Sequence, residues 1–375
     1  MSTAALRTRE RVLDPIEVAV AEIAAGRPIV VVDDEDRENE GDLTIAACHA
    51  TAATVGLMVR YGSGVICAPM VAADLERLRL PPMTAVNEDP RATAYTVSVD
   101  AYHGCTTGIS ADDRTRTLRV LADPRSGAAD LRRPGHVFPL RAVPGGVLVR
   151  PGHTEAAVDF ARLAGLPSVA AICELVNDNG SVMRLPELVH FARDRQLAIV
   201  SIADLILHRL RQQAHLHHTG HIRLPTRHGT FRAIAYRSTL PGDHTEILAL
   251  LMGEVADGED VLVHLHHECV IGDVFATSAC PCNEQLNAVM ARIATAGRGV
   301  LLYLRENQRQ PRAAPRGGPH CGVSTGDQLT RIRLYGASHQ ILADLRIRSV
   351  HVIGTAGRDL LEELGTRTAV TEPSR

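Results

Sequence analysis

The 375-residue sequence contains neither lysine nor tryptophan, and aromatic residues make up only 3% of it. All 40 basic residues are therefore arginine. This excludes Schiff-base catalysis, attachment of pyridoxal phosphate and the lysine of a Walker A phosphate loop, each of which needs a primary amine. An anionic substrate must be held by guanidinium groups, backbone amides or a metal. With few rings for bases to stack on and a formal net charge of -3, no nucleic acid is expected as a partner. No apolar run approaches the roughly 20 residues that cross a bilayer, and the polar stretch Met1 to Arg11 lacks the apolar core of a secretory signal. A cytoplasmic protein without membrane association is expected. Eight cysteines (Cys48, Cys67, Cys105, Cys173, Cys269, Cys280, Cys282, Cys321) are scattered apart from one cluster, which is not the pattern of a disulfide framework. Reduced thiols are expected, with the cluster as a metal candidate.

A chain of this length suits two domains, and 45% hydrophobic with 22% charged residues is ordinary for a globular protein. Asp14 and Pro15 read as N-cap and first residue of a helix with Ile16, Val20 and Ile23 on one face, closed by Gly26. Pro28 to Val32 reads as a buried strand, which puts the acidic segment after it on a loop at the strand's C-terminal end. Helical and strand patterns then alternate: Glu155 to Leu163, Ser168 to Ile172, Leu185 to Arg195, Leu197 to Ile202, Ala203 to Arg211. The apolar pattern lapses after Arg211 into glutamines and His215, His217, His218 and His221, read as a solvated interdomain linker in preference to a histidine metal site. Strands resume at Thr230 to Tyr236, Glu246 to Leu251 and Val261 to Leu265. A helix carrying Leu286, Val289, Met290 and Ile293 follows, then a strand at Gly299 to Leu304. Gln308 to Gly326 reads as a long loop, followed by a helix near Ser338 to Leu345, a strand at Val350 to Ile353, a last helix and a frayed end after Thr371. The fold class expected is α/β, with two domains, each a mixed sheet covered by helices: residues 1–211, a linker at 212–222, and 223–375.

The segment from Asp33 to Asp42 is carboxylate at every position but Arg37, Asn39 and Gly41. Mutual repulsion at that density favours a bound cation, and hard oxygen donors favour Mg²⁺ or Mn²⁺, against the plainer reading of a solvated acidic loop. The segment resembles the hallmark of the 3,4-dihydroxy-2-butanone 4-phosphate synthase family. The likeness continues through Arg60 to Gly64, Thr106 to Ala111, Arg133 to Leu140, Gly152 to Ala156 and Cys173 to Leu175, in order across most of residues 10 to 210. The resemblance implies conversion of ribulose 5-phosphate to 3,4-dihydroxy-2-butanone 4-phosphate and formate. By the same resemblance, Glu38 and His153 hold the Mg²⁺ or Mn²⁺. Arg37, Glu38, Asp42, Arg150, Pro151, Gly152, His153, Thr154 and Glu174 meet the substrate, and His136 and Glu174 are catalytic. It also implies a homodimer. Read singly, His136 could instead be a hydrogen-bonded core histidine, and Glu174 a carboxylate paired with an arginine.

In the second half, ten residues separate Cys269 from Cys280 and one separates Cys280 from Cys282. Three thiolates with one open position suit a tetrahedral Zn²⁺ carrying water, against the plainer reading of packed, inert cysteines. This spacing, with His266 to Asp273 and Gly297 to Tyr303, resembles GTP cyclohydrolase II over roughly residues 221 to 370. The departures fall at that family's chemistry. Its phosphate-contact glycines become Glu306 to Gln310, and its general-base aspartate aligns with Arg331, although the partner arginine survives as Arg333. Its TNNP segment and following lysine become Gly354 to Asp359. A guanidinium stays protonated and cannot serve as a base, so GTP turnover is expected to be lost or very weak. Three readings follow: a lyase with a degenerate cyclohydrolase-like appendage, a fully bifunctional enzyme, and a non-catalytic regulatory or scaffold protein.

Overall fold

A computed structural model describes residues 12–241, 243–305, 328–354 and 367–371, and the chain divides into two compact units, Met1–His208 and Arg209–Arg375. Each is built on its own seven-stranded mixed sheet.

The first unit contains β1 (Ile29–Val32), β2 (Gly41–Ala46), β3 (Cys67–Met70), β4 (Val99–Ala101), β5 (Leu131–Arg141), β6 (Ala170–Glu174) and β7 (Ile199–Ser201), in spatial order β4-β5-β3-β6-β2-β1-β7. Its helices are α1 (Ile16–Ala24), α2 (Ala52–Tyr61), α3 (Ala72–Arg77), α4 (Ala111–Ala122), α5 (His153–Leu163) and α6 (Leu185–Asp194), and α7 (Ile202–Gln212) begins in it and ends past the unit boundary at His208. Side chains alternate across the sheet. Leu43, Val137 and Cys173 enter a large core with Val55 and Met58 of α2 and Leu118 of α4. Their strand neighbours Phe138 and Ile172 point the other way, into a smaller core with Ala157 of α5. The helix at Ile16 begins without Asp14 as its cap. Pro15 takes the N-cap place, while the Asp14 carboxylate accepts from the Ile199 amide at 2.9 Å and pairs with Arg193. Asp14 thus ties the chain to β7, where an amide offered a partner that sequence alone could not show.

The second unit contains β8 (Leu216–Thr226), β9 (Gly229–Ser238), β10 (Glu246–Met252), β11 (Val261–His267), β12 (Gly299–Arg305), β13 (Ser349–Ile353) and β14 (Arg367–Thr371), with α8 (Val270–Asp273), α9 (Cys282–Ala296) and α10 (Gln328–Asp344). In the order β14-β13-β11-β12-β10-β9-β8 the first four strands run parallel, and β12, β10, β9 and β8 pair antiparallel.

The stretch 212–222, expected as a linker, is instead the end of a helix and the start of a paired strand. Gln212 ends α7, and Leu216 starts a strand paired with β9 from Leu216↔Ser238 to Thr226↔Gly229. His215 is buried, with its backbone amide donating to Gln340 Oε1 at 2.9 Å. His217, His218 and His221 are exposed on this edge strand. A strand solvated on both faces carries no apolar alternation, so in sequence it looks like a linker. The helix expected near Ser338 starts earlier, at Gln328. The expected loop at 308–326, the last helix and the frayed end lie outside the described residues.

Candidate active site

The strand register of the first unit gathers its candidate residues. Cys67 pairs with Phe138 on β5 and Ile172 on β6, Asp42 pairs with Glu174, and Val31 pairs with Asp42. Stepping two residues from Phe138 and Ile172 toward the same sheet end gives His136 and Glu174. His136, Glu174 and Asp42 therefore share one transverse row and one face, the face covered by α5. The first residue of α5 is His153.

The acidic segment closes the β1–β2 hairpin at this end of the sheet. Asp33, although acidic, serves mainly as the loop's internal anchor: its carboxylate accepts from Arg37 Nη1 at 2.9 Å, the Glu38 amide at 3.0 Å and the Glu40 amide at 2.9 Å. That leaves Glu38, Glu40 and Asp42 facing His153. Donor atoms of Asp33, Glu38 and His153 lie within 4.8 Å of one another, and so do those of Glu40, Asp42 and His153. The buried His153 ring has its Nε2 3.1 Å from the Val31 carbonyl, which can only accept, so Nε2 carries a proton. The Nδ1 atom, 3.9 Å from Glu38 Oε2, is the one turned to the carboxylates. A backbone carbonyl fixing one ring nitrogen while the other faces anions is how metal-binding imidazoles are usually held.

The charges are strongly coupled. The His153 imidazole, ahead of Arg37, lowers the Glu38 carboxyl to about 2 against the opposing effect of burial. Burial raises Asp42 to about 8, with Glu174, Glu40 and Glu38 adding to the rise. Burial works to lower His153, but Asp42, Glu38 and Asp33 outweigh it and raise the imidazole to about 9. Among the described residues, Asp42 Oδ1 is buried with no hydrogen-bond partner. A buried, unsatisfied carboxylate oxygen beside an imidazole and further carboxylates fits a hard divalent cation.

Next to these donors the chain builds an anion cradle. Gly152 is the N-cap of α5, whose first-turn amides have no helical partners. A Cβ on Gly152 would stand 2.5 Å from Arg150 Nη1 and 3.1 Å from Arg37 Nη2, so only glycine lets both guanidinium groups close over it. Arg150 is braced by the buried Glu155 at 2.6 Å. Thr154 is buried in the first turn, and Pro151 is half-buried just before it.

His136 is not a core histidine, since its side chain is 40% exposed. Asp100 on β4 clamps it twice, accepting from the His136 amide at 2.9 Å and facing Nδ1 at 2.8 Å. With Nδ1–H donated to Asp100, Nε2 is free to take a proton. Gly108, at φ +95°, packs on this dyad so closely that a Cβ would come 2.1 Å from Asp100 Oδ2. Glu174 is oriented by Ser63, whose Oγ donates to Oε2 at 2.6 Å. Asp100 was not among the residues singled out from sequence. Ser63 lay inside a recognised segment, but nothing in the sequence tied it to Glu174.

The cysteine cluster of the second unit forms as its spacing predicts. Cys269 caps α8, Cys282 opens α9, and the sulfurs of Cys269, Cys280 and Cys282 lie within 4.8 Å of one another. The Cys269–Cys280 separation of 3.9 Å matches the edge of a tetrahedron, about 3.8 Å for Zn–S bonds of about 2.3 Å. Gly272 lies under the triad, where a Cβ would stand 2.7 Å from Cys280 Sγ and 3.0 Å from Cys269 Sγ. The donor set and the glycine beneath it fit zinc. Asp273, again missed as a site residue, braces the cluster: it accepts from the Cys269 amide at 2.8 Å, from Tyr303 at 2.8 Å and from His266 Nε2 at 3.0 Å. Arg333 lies on α10 within electrostatic reach of His215 and Asp243. The Arg331 side chain and the segments at 306–310 and 355–359 fall outside the described residues.

Comparison with known proteins agrees with both units. The family model "3,4-dihydroxy-2-butanone 4-phosphate synthase" matches residues 17–208, which is more than half of the chain. The chain belongs to this family. A second model, "GTP cyclohydrolase II", matches residues 217–367. The riboflavin biosynthesis protein RibBA of Salinispora arenicola is 50% identical over 94% of this chain and 87% of its own length. The protein of that name from Mycolicibacterium paratuberculosis is 49% identical over 91% and 84%. Among solved structures, RibBX, a two-domain 3,4-dihydroxy-2-butanone 4-phosphate synthase from A. baumannii, matches with a TM-score of 0.76 at 31% identity, covering 96% of this chain and 99% of its own. A 3,4-dihydroxy-2-butanone 4-phosphate synthase in complex with two magnesium ions matches 52% of this chain and 96% of its own at 47% identity and a TM-score of 0.51. Among the described residues, no helix is long and apolar enough to cross a membrane.

Proposed function

We propose that the first unit converts ribulose 5-phosphate to 3,4-dihydroxy-2-butanone 4-phosphate and formate, as a Mg²⁺- or Mn²⁺-dependent lyase of riboflavin biosynthesis. The observation that carries this reading is the single row of His136, Glu174 and Asp42 facing His153 and Glu38, with the Arg37–Arg150 cradle beside it. The two products together contain every atom of the substrate, so the site needs no co-substrate or redox partner. It needs proton transfers and stabilised negative charge. Glu38 and His153 would hold the cation, which when bound supplies Lewis-acid stabilisation to adjacent sugar oxygens. The remaining roles belong to the chain. Arg37, Arg150 and the first-turn amides from Gly152 to Thr154, with Pro151 shaping the entry, bind the phosphate. Asp42 contacts the sugar beside His153. His136, its Nδ1 proton held by Asp100, takes or returns a proton at Nε2, and the Glu174 carboxylate serves as the second proton-transfer group.

For the second unit, the reading is a Zn²⁺ held by Cys269, Cys280 and Cys282 without efficient GTP turnover, because Arg331 stands where the family's base aligns and the phosphate-contact glycines and lysine are missing. A bifunctional enzyme is the second reading. It is favoured by the cyclohydrolase model covering residues 217–367 and by RibBA relatives that are 49–50% identical over 91–94% of the chain. Purified protein, free of host cyclohydrolase, is to be assayed for formate release from ribulose 5-phosphate and separately from GTP, with zinc content measured. The expected outcome is turnover of the sugar phosphate, bound zinc and no release of formate or pyrophosphate from GTP. GTP turnover comparable to that of an intact cyclohydrolase selects the second reading. A self-associating, cytoplasmic enzyme is part of the same proposal, and a homodimeric mass in solution is its check.

A further inference from the structure

Arg114 on α4 is a cation taken out of water, only 3% exposed. Its Nη1 donates to the Gly64 carbonyl at 3.1 Å, while its buried Nε has no hydrogen-bond partner among the described residues. A buried guanidinium held so sparingly is costly, and a purely packing position would be better filled by an apolar side chain. What it holds is a loop with one evident task. Residues 62–65 are fastened along Glu174: the Ser63 amide donates to the Glu174 carbonyl at 2.8 Å, and Ser63 Oγ donates to its carboxylate at 2.6 Å. Gly62 is pressed onto the same strand, where a Cβ would come 2.5 Å from Cys173 Sγ and 2.9 Å from the Glu174 carbonyl. Gly64, at φ +84°, turns the chain so that its carbonyl meets Arg114.

The helix that carries Arg114 is itself fixed. Ser110 caps it by accepting from the Asp113 amide at 3.0 Å, and the Asp113 carboxylate accepts from the Thr106 amide, the Thr106 hydroxyl and the Gly108 amide. Gly108 in turn lies against the Asp100–His136 dyad. Two adjacent residues of α4 therefore reach toward the two proposed proton-transfer groups, Asp113 toward His136 and Arg114 toward Glu174.

We propose that Arg114 is a positioning residue that, by pinning the Gly64 carbonyl, sets the Ser63 hydroxyl that aims the Glu174 carboxylate at the substrate. This rests on Glu174 acting as a proton-transfer group. The test is a double-mutant cycle on the full-length protein with ribulose 5-phosphate, comparing Arg114→Met, Ser63→Ala and the pair, with Glu174→Gln measured alongside. Arg114→Met is expected to lower kcat about tenfold or more with KM changed less than threefold. It should also shift the limb of the kcat–pH profile that Glu174→Gln abolishes. The double variant is expected to be no worse than the poorer single one, because both act through the same carboxylate. Wild-type kcat in Arg114→Met, additive losses, or an unmoved pH limb would overturn the inference. Near-wild-type activity in Glu174→Gln would instead overturn the catalytic reading beneath it. Should Arg114→Met not fold, as judged by circular dichroism, Arg114→Lys carries the same cycle, since it keeps the charge but not the planar fork.

Discussion

The two units each gather groups able to hold a metal ion, but by opposite means. In the second unit three sulfurs come from 14 consecutive residues, Cys269 to Cys282, and one glycine beneath them makes the room. In the first, Glu38 and His153 are 115 positions apart and meet only because β1, β2 and β6 align in register under the start of α5. A local cluster needs little from the rest of its domain and can persist when the surrounding catalytic positions change. A site assembled across a sheet depends on the whole fold. The cysteine triad is thus weak support for chemistry in its own unit, whereas the row of the first unit ties its chemistry to its architecture.

The largest effect that would break this comparison is metal removal. Exhaustive EDTA treatment is expected to abolish formate release from ribulose 5-phosphate, and Mg²⁺ alone should restore it whether or not zinc returns to the cysteines. Full activity in verified metal-free protein would show that the acidic row works without a cation. Next in size, Glu174→Gln and His136→Ala should each cut kcat about a hundredfold or more while leaving circular dichroism unchanged, as for groups that move protons. Wild-type rates in both would place the chemistry elsewhere on the sheet.

The local cluster is tested by Gly272→Ala. Its added methyl would press on two of the three sulfurs, so bound zinc should fall well below one per chain. Synthase activity should stay within about twofold of wild type, because the residues of the first site lie in another compact unit. Undiminished zinc would mean that the triad has room the geometry does not show.

How much of this was legible in sequence follows the same division. The cysteine spacing alone marks the cluster, whereas Glu38, His153, His136 and Glu174 stand out as candidates only through the resemblance that their segments carry. The supports were not readable. Asp100 reaches His136 through the β4–β5 pairing, which has an irregularity at Val99/Asp100 that no periodicity announces. Ser63 meets Glu174 across 111 positions. The tautomer of His153 depends on a carbonyl of β1. The edge strand at Leu216 looks like a linker in sequence because solvent on both faces erases its apolar pattern.

The smallest effect is one of pH, and its sign follows from the first site's charges. In the metal-free protein His153 stays protonated up to about 9, and Asp42 up to about 8. His153, raised above its ordinary 6.5, contributes stability that is fully present below that value and is lost as pH climbs through 9. Asp42 ionises near 3.8 in the unfolded chain but near 8 in the folded one, so the folded state loses ground as pH rises between those values. Both lower the stability of the metal-free protein as pH rises from 6.5 to 8, and His153 alone continues the loss to about 9. A cation at His153 Nδ1 must displace a proton there and favours ionised Asp42. Mn²⁺ binding should therefore release at least one proton at pH 7, and its affinity should rise by up to about tenfold per pH unit for each proton released. The increase in melting temperature on adding Mn²⁺ should be larger at pH 8.5 than at pH 6.5. Calorimetry in buffers of different ionisation enthalpy measures the release directly. A heat of binding independent of the buffer, together with a melting increment that is flat with pH, would move the cation away from His153 and leave the acidic row no more than a charged loop.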